Sequence, residues 1–308
     1  MRARAPASSA NLGPGFDTLA VALDLHVEVE VELADRLSVR ARGEGADLAA
    51  DASHLAAQVA TAVVGHDRLS ITVSSAIPVG RGLGSSGALA AATAAAAGAP
   101  DPLAVAAEAD GHPENAAASV MGGLVAATVV RGQPTAVSLA LDPGLSFVVL
   151  VPQRSLPTSK ARQALPPVVA HADAAFNLGR MGLLLAGLAD HRVLVAEATE
   201  DRLHQAARSP MFPEASQLLT GLLEAGARAV CWSGAGPSLL AVCDQALAAE
   251  VRDAGETLLF GAGVAGRALA LRPDTTGLVV GGQPWQPGHA SQPPQPGPAA
   301  QPSQPGWR

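Results

Sequence analysis

An α+β fold is predicted for this chain on three observations. Residues 25–33 place an apolar side chain at every odd position, a period of two over nine residues that marks a half-buried strand. Residues 85–97 are nearly all alanine, the strongest helix former. Further strand and helix patterns then mix without a regular βαβ alternation, which disfavours a doubly wound sheet.

Taken in order, the chain opens with a strand and a loop at 6–17, then the alternating strand at 25–33 and another at 68–75. A turn-rich loop at 78–84 leads into the alanine helix. Two short helices follow at 102–110 and 113–120, each with proline at its first position, where the missing N–H costs nothing. Strands are expected at 125–130, 136–141 and 146–151. Beyond residue 155 the pattern turns helical, at 159–165, 168–188, 191–199 and 215–225. Strands at 227–232 and 238–242 flank a glycine turn, and a helix at 245–258 precedes strands at 265–271 and 277–280. This divides the chain into 1–150 and 151–282. The last 26 residues, 283–308, hold 8 Pro and 6 Gln and no acid, a composition read as a disordered tail.

Composition excludes several function classes. The net charge is −7, no basic run occurs, and aromatics are 3% with no tyrosine, which argues against a nucleic-acid surface. Two cysteines cannot build a disulfide framework, and no Cys/His cluster suggests zinc. No apolar segment has the length of a signal peptide core or a membrane span, so a soluble, reducing, cytoplasmic setting is expected.

The most informative stretch is Pro78-Val-Gly-Arg-Gly-Leu-Gly-Ser-Ser-Gly87. Gly80, Gly82 and Gly84 permit positive φ and inward-facing amides. The helix behind them starts with unpaired N–H groups and the positive end of its dipole, a site suited to phosphate. The spacing Gly82-x-Gly84-x-x-Gly87 fits a dinucleotide fingerprint, but a helix follows where that motif needs a strand ending in an acid. The Walker pattern fails because the only lysine is Lys160. A plain helix cap with a flexible turn stays open. Ser233-Gly-Ala-Gly-Pro-Ser238 reads on its own as a hairpin turn, and Trp232 before it as core.

Together these stretches resemble the GHMP kinase superfamily. Its first motif is similar to Pro6-Ala-Ser-Ser-Ala-Asn-Leu-Gly-Pro-Gly-Phe-Asp17, its second to residues 78–87, and its third to residues 233–238. Glu108-Ala-Asp-Gly-His-Pro-Glu-Asn115 resembles the family's His-Pro-acid-Asn segment, and residues 158–162 and 201–208 its later substrate segments. The first motif and the His-Pro-acid-Asn segment resemble the branch that phosphorylates L-homoserine.

The resemblance implies an N-terminal α+β domain with a left-handed βαβ unit and a C-terminal ferredoxin-like domain, with the site between them. It implies ATP and Mg²⁺, and a small-molecule substrate, L-homoserine. A homodimer is left open. It further implies that Pro78, Val79, Gly80, Arg81, Gly82, Leu83, Gly84, Ser85, Ser86 and Gly87, with Gly234 and Gly236, hold the nucleotide. Glu108 matches the family's metal carboxylate, with Ser85 or Ser86 beside it.

Homoserine carries an ammonium, a carboxylate and a hydroxyl. Asp17, with Asn11 near it, suits the ammonium. Arg162 and Arg208 suit the carboxylate through charge-assisted bonds, and Thr158 shares a helix face with Arg162. Asn115 stands where many superfamily members have an aspartate base. An amide cannot accept that proton but can orient the hydroxyl, leaving the γ-phosphate to receive it. His112 is read as orienting the substrate or capping the helix at Pro113, with a role as base the alternative. His204 is read as structural or as backing a site residue from behind. Glu114 replaces a common Asp, and Ala206-Ala207 replace a common Pro-Tyr. The rival readings are a kinase of this fold for another small alcohol, and a nucleotide-binding protein without catalysis.

Overall fold

In the computed structural model, which describes residues 1–286, the alternating strand is longer than its alternation. β1 (Arg2–Ala10) pairs antiparallel with β2 (Leu19–Leu33), with a bulge at Pro6/Ala7. Residues 19–23 are all buried, so both faces are covered and no polar residue breaks the pattern there. The loop expected from residue 6 is strand as far as Ala10. The true turn is 11–18, where Asn11, Leu12 and Asp17 take positive φ.

β3 (Ser38–Gly43) and β4 (Leu69–Ser75) are parallel neighbours joined through α1 (Leu55–Val64). Neither β3 nor α1 was expected. β3 is a sheet edge with one buried residue, Val39, among arginines. α1 starts on His54, whose ring accepts from the Ala56 amide; histidine is not a usual helix-start signal. α2 (Ser85–Ala96) runs through the middle of this half, packed against β1, β2 and α1. Its small side chains let these neighbours approach on nearly every side. α3 (Pro102–Asp110), α4 (Pro113–Met121), β5 (Leu124–Val130) and β6 (Gln133–Leu139) complete the half, with β5 pairing the start of β2.

β7 (Leu145–Pro152) begins the second sheet. α5 (Thr158–Gln163), α6 (His171–Ala189), α7 (Gln205–Arg208) and α8 (Ala215–Glu224) follow. β8 (Ala229–Trp232), β9 (Leu239–Asp244), α9 (Ala248–Gly261) and β10 (Gly266–Leu271) close it. The strand order is β10-β7-β9-β8, all antiparallel, which is a ferredoxin-like order. The helix expected over 191–199 is instead two 3₁₀ turns, His191–Val193 and Ala196–Thr199. Leu194 between them packs onto Gly187 of α6, which breaks the helical path.

The expected boundary at residue 150 falls inside β7. Every residue of β7 is buried: Val148 and Leu150 face Phe212, Leu218 and Val251, while Phe147 and Val149 join the core under the first sheet. The chain then returns to its start. β11 (Val279–Val280) pairs with β1, and β12 (Gln283–Pro284) pairs with β11. Trp285 packs on the core, so residues 283–286 are part of the fold, against the expectation of a tail from 283. The rest of that expected tail lies outside the described residues. Cys231 and Cys243 are buried free thiols, and burial pushes their pKa values up to about 12 and about 11. No helix among the described residues is long and apolar enough to cross a membrane.

Candidate active site

A hollow of about 400 Å³ opens where the two halves meet. Its floor is the glycine loop between β4 and α2. Gly80, Gly82 and Gly84 have φ of 68°, 76° and 61°, a region costly for any residue with a Cβ. Gly84 is the N-cap of α2 and offers no side-chain bond, so the first amides of the helix carry no cap. A cap-only role for this loop therefore lacks its hydrogen bond. Val79, Gly80, Gly82, Leu83, Gly84, Ser85 and Ser86 line the hollow. Pro78, Arg81 and Gly87 do not. Arg81 instead bolts the loop to the end of β7, donating to the carbonyls of Pro152, Val79 and Gln153 at 3.0, 2.8 and 2.8 Å. Gly87 gives Asn115 and Asp110 room; a Cβ there would sit 3.2 Å from that of Asn115.

The turn at 233–238 is a β8–β9 hairpin, as it reads in isolation, and it is also docked. Ser233 Oγ donates to Gly82 O at 2.6 Å, and the Gly234 amide donates to Ala10 O at 3.0 Å. A Cβ on Gly82 would overlap the Ser233 carbonyl oxygen. Gly234 O accepts from Asn11 Nδ2 at 2.9 Å and from Arg208 at 3.0 Å. Gly234 and Ala235 line the hollow and Gly236 does not. Trp232 is buried edge-on to Phe212, in the core.

At the far end Arg162 on α5 meets Asp17 in a two-pronged ion pair, 3.0 and 2.8 Å, with Thr158 at the start of the same helix. Asn11 Oδ1 accepts from the Asp17 amide at 3.0 Å and so shapes this turn. Arg208 is 2% exposed and its Nε has no partner. Burial pushes its pKa down to about 10. Both guanidiniums stand over the Phe16 ring, each 5.6 Å from its centre.

On the side wall, Asn115 Oδ1 accepts from the Ser8 hydroxyl at 2.9 Å, and its Nδ2 donates to Glu114 Oε1 at 3.3 Å. Glu114 is 2% exposed and its Oε2 has no partner; burial pushes its pKa up to about 7. His112 occupies the N-cap of α4 but its ring makes no cap bond. It turns to Asp110, whose hydrogen bond raises the imidazole pKa and favours the form that cannot accept a proton.

Glu108, the expected metal carboxylate, is exposed on α3 and outside the hollow. Of the acids on α3, Asp110 is the one that lines it, with a side chain 5% exposed. On α3, Asp110 shares a face with the fully buried Ala106 four residues before it, whereas Glu108 lies about 200° round the helix from either of them. Ser8, Phe16 and Asp110 were not singled out from sequence. Among the described residues the one cluster spaced like metal ligands is Asp142, Asp190 and His191. Its carboxylates are already taken up by the Gly144 and His191 amides, the His191 ring and Arg192.

The chain is similar to proteins already known. The model of the GHMP kinases N terminal domain matches residues 49–123, and that of the GHMP kinases C terminal matches 174–258. The homoserine kinase of Rhodococcus opacus is 39% identical across 82% of this chain and 90% of its own length. That of Streptomyces avermitilis is 42% identical across 83% and 90%. The crystal structure of homoserine kinase from Cytophaga hutchinsonii matches with a TM-score of 0.79 at 26% identity, covering 91% of this chain and 96% of that one. The mevalonate kinase of L. major shares the fold, at TM-score 0.65 and 13% identity over 89% and 96%.

Proposed function

The chain belongs to the GHMP kinase family, and we propose that it transfers the γ-phosphate of ATP to the hydroxyl of L-homoserine. The observation that carries this is one hollow lined by the uncapped start of α2, by the Asp17–Arg162 pair and by Asn115. The relatives that match most of its length are homoserine kinases.

The Asp17–Arg162 pair is complementary to an amino acid. An incoming ammonium meets Asp17 and an incoming carboxylate meets Arg162, so the zwitterion replaces one ion pair by two. Arg208, with spare donors and no acid on it, adds a second guanidinium for the carboxylate. Asn115 has its Oδ1 occupied by Ser8 and one NH₂ hydrogen on Glu114, which leaves its other NH₂ hydrogen to donate. That NH₂ donates to the substrate hydroxyl oxygen and aligns it. The oxygen attacks the γ-phosphorus, the bond from that phosphorus to the β,γ-bridging oxygen breaks, and ADP leaves. The hydroxyl proton passes to an oxygen of the transferred phosphoryl group. His112 faces Asp110 and is not needed as a base. Phosphoryl transfer depends mainly on positioning and charge stabilisation, which this wall and floor supply.

Asp110 and the hydroxyls of Ser85 and Ser86 form an oxygen donor set suited to Mg²⁺. When bound, that ion neutralises charge on the phosphates. The residues of the glycine loop and of the docked hairpin hold the phosphates through backbone amides.

Purified protein with ATP and Mg²⁺ is expected to release ADP on addition of L-homoserine, and far less on serine, threonine or mevalonate. No homoserine-dependent ADP above the blank overturns the reading. Equal turnover of mevalonate would move the substrate to another alcohol.

A further inference from the structure

We propose that His204 is a positioning residue for substrate binding, fastening the Arg208 guanidinium to the backbone of the Asn11–Asp17 turn. The inference rests on the reading that Arg208 receives the substrate carboxylate. His204 is fully buried, with 0% exposure. Its Nε2 lies 2.8 Å from Gly13 O, which only accepts, so Nε2 carries the ring proton. Nδ1 is then a lone pair, and it accepts from Arg208 at 2.9 Å. The two neighbours thus select one neutral tautomer. The ring also stacks on Phe16, with centroids 5.1 Å apart and planes 25° from parallel.

This arrangement compensates for a weak local scaffold. α7 is only four residues long, and Arg208 is its last residue. A helix that short does not hold a long side chain by itself. The Arg208 guanidinium is set instead by His204 and by Gly234 O, so the hairpin holds it directly and the Asn11–Asp17 turn holds it through the imidazole ring. Asp201 does not compete for the ring: its Oδ2 is 3.7 Å from Nε2 and accepts the His204 and Gln205 amides. Burial pushes the His204 pKa down to about 4, which keeps the acceptor nitrogen free at neutral pH.

Two variants separate the two nitrogens. His204→Asn keeps an acceptor near the Nδ1 position and loses the donor to Gly13. His204→Gln reaches the Nε2 position and loses the acceptor for Arg208. Steady-state kinetics are expected to show KM for homoserine raised about tenfold in His204→Gln and less than about threefold in His204→Asn, with KM for ATP within about twofold in both. In an Arg208→Lys background, His204→Gln should add less than about twofold. Equal effects of the two variants, a parallel rise in KM for ATP, or full additivity with Arg208→Lys would each overturn the positioning role. A parent chain inactive on homoserine overturns the kinase reading and this inference with it; an active parent with no such split overturns this inference alone.

Discussion

Asp17 and Arg162 neutralise one another in the free chain, and both side chains are about half exposed. Such a pair adds about 0–1 kcal/mol to stability, yet each member gains a full partner when a zwitterion arrives. Arg162→Ala is therefore expected to raise KM for homoserine by about 10- to 150-fold, with little change in melting temperature. An unchanged KM removes Arg162 from the site. Glu114 makes the opposite kind of contribution. Its carboxyl is buried and titrates at about 7 instead of 4.5, because burial penalises the charge. Between those values the folded chain holds a proton that the unfolded chain has released. Stability from this group is complete below pH 4.5 and is lost as pH rises through 7, by roughly 3 kcal/mol. His204 runs the other way: its pKa falls from 6.5 to about 4, so its share is present above 6.5 and lost as pH falls through 4. The two slopes oppose each other in the parent chain. Glu114→Gln removes one of them, and its melting temperature relative to the parent is expected to be higher at pH 8 than at pH 5. The same difference at both pH values would contradict this account.

Among elements, the glycine loop and the hairpin turn act as one unit, because Gly82 is the point where they touch. Gly82→Ala meets both a positive φ and the Ser233 carbonyl oxygen. It is expected to destabilise the fold by about 1–3 kcal/mol and to raise KM for ATP, since the loop must withdraw from the hairpin to make room. Thermal melts and ATP titrations read the two effects, and a variant equal to the parent in both would show the contact to be loose. Elements with one wet face, or rich in alanine, are legible in the sequence: the odd-position apolar residues of β2 and the run of α2 need only local physics. Elements whose roles are set by neighbours are not. The start of β2 is covered on both faces, β3 is an edge with one buried residue, and the 191–199 stretch is broken by Leu194 seated on Gly187. Asp110 and Glu108 differ in sequence by two positions; which of them faces the hollow depends on what α3 lies against.

For the molecule as a whole, β7 is the joint. Its two faces belong to the two cores, so the interiors of both halves meet on this one strand. The return of β11 to β1 closes the same joint from the other end of the chain. Calorimetric unfolding is therefore expected to give a single cooperative transition, and two resolved peaks would show that the halves melt separately. Local conformational free energy is written along the chain, in alternation, alanine runs and glycines free to take positive φ. It sufficed to mark an α+β class and a glycine loop at a helix start, while the candidate roles of Asp17, Arg162 and Arg208 came from the resemblance to the GHMP kinases. Distances between residues a hundred positions apart are set by packing, because the side chains that cover a strand or helix come from elsewhere in the chain. Only the folded structure could therefore settle the Asp17–Arg162 pairing, the placing of Asp110 rather than Glu108 in the hollow, and the hold of His204 on Arg208.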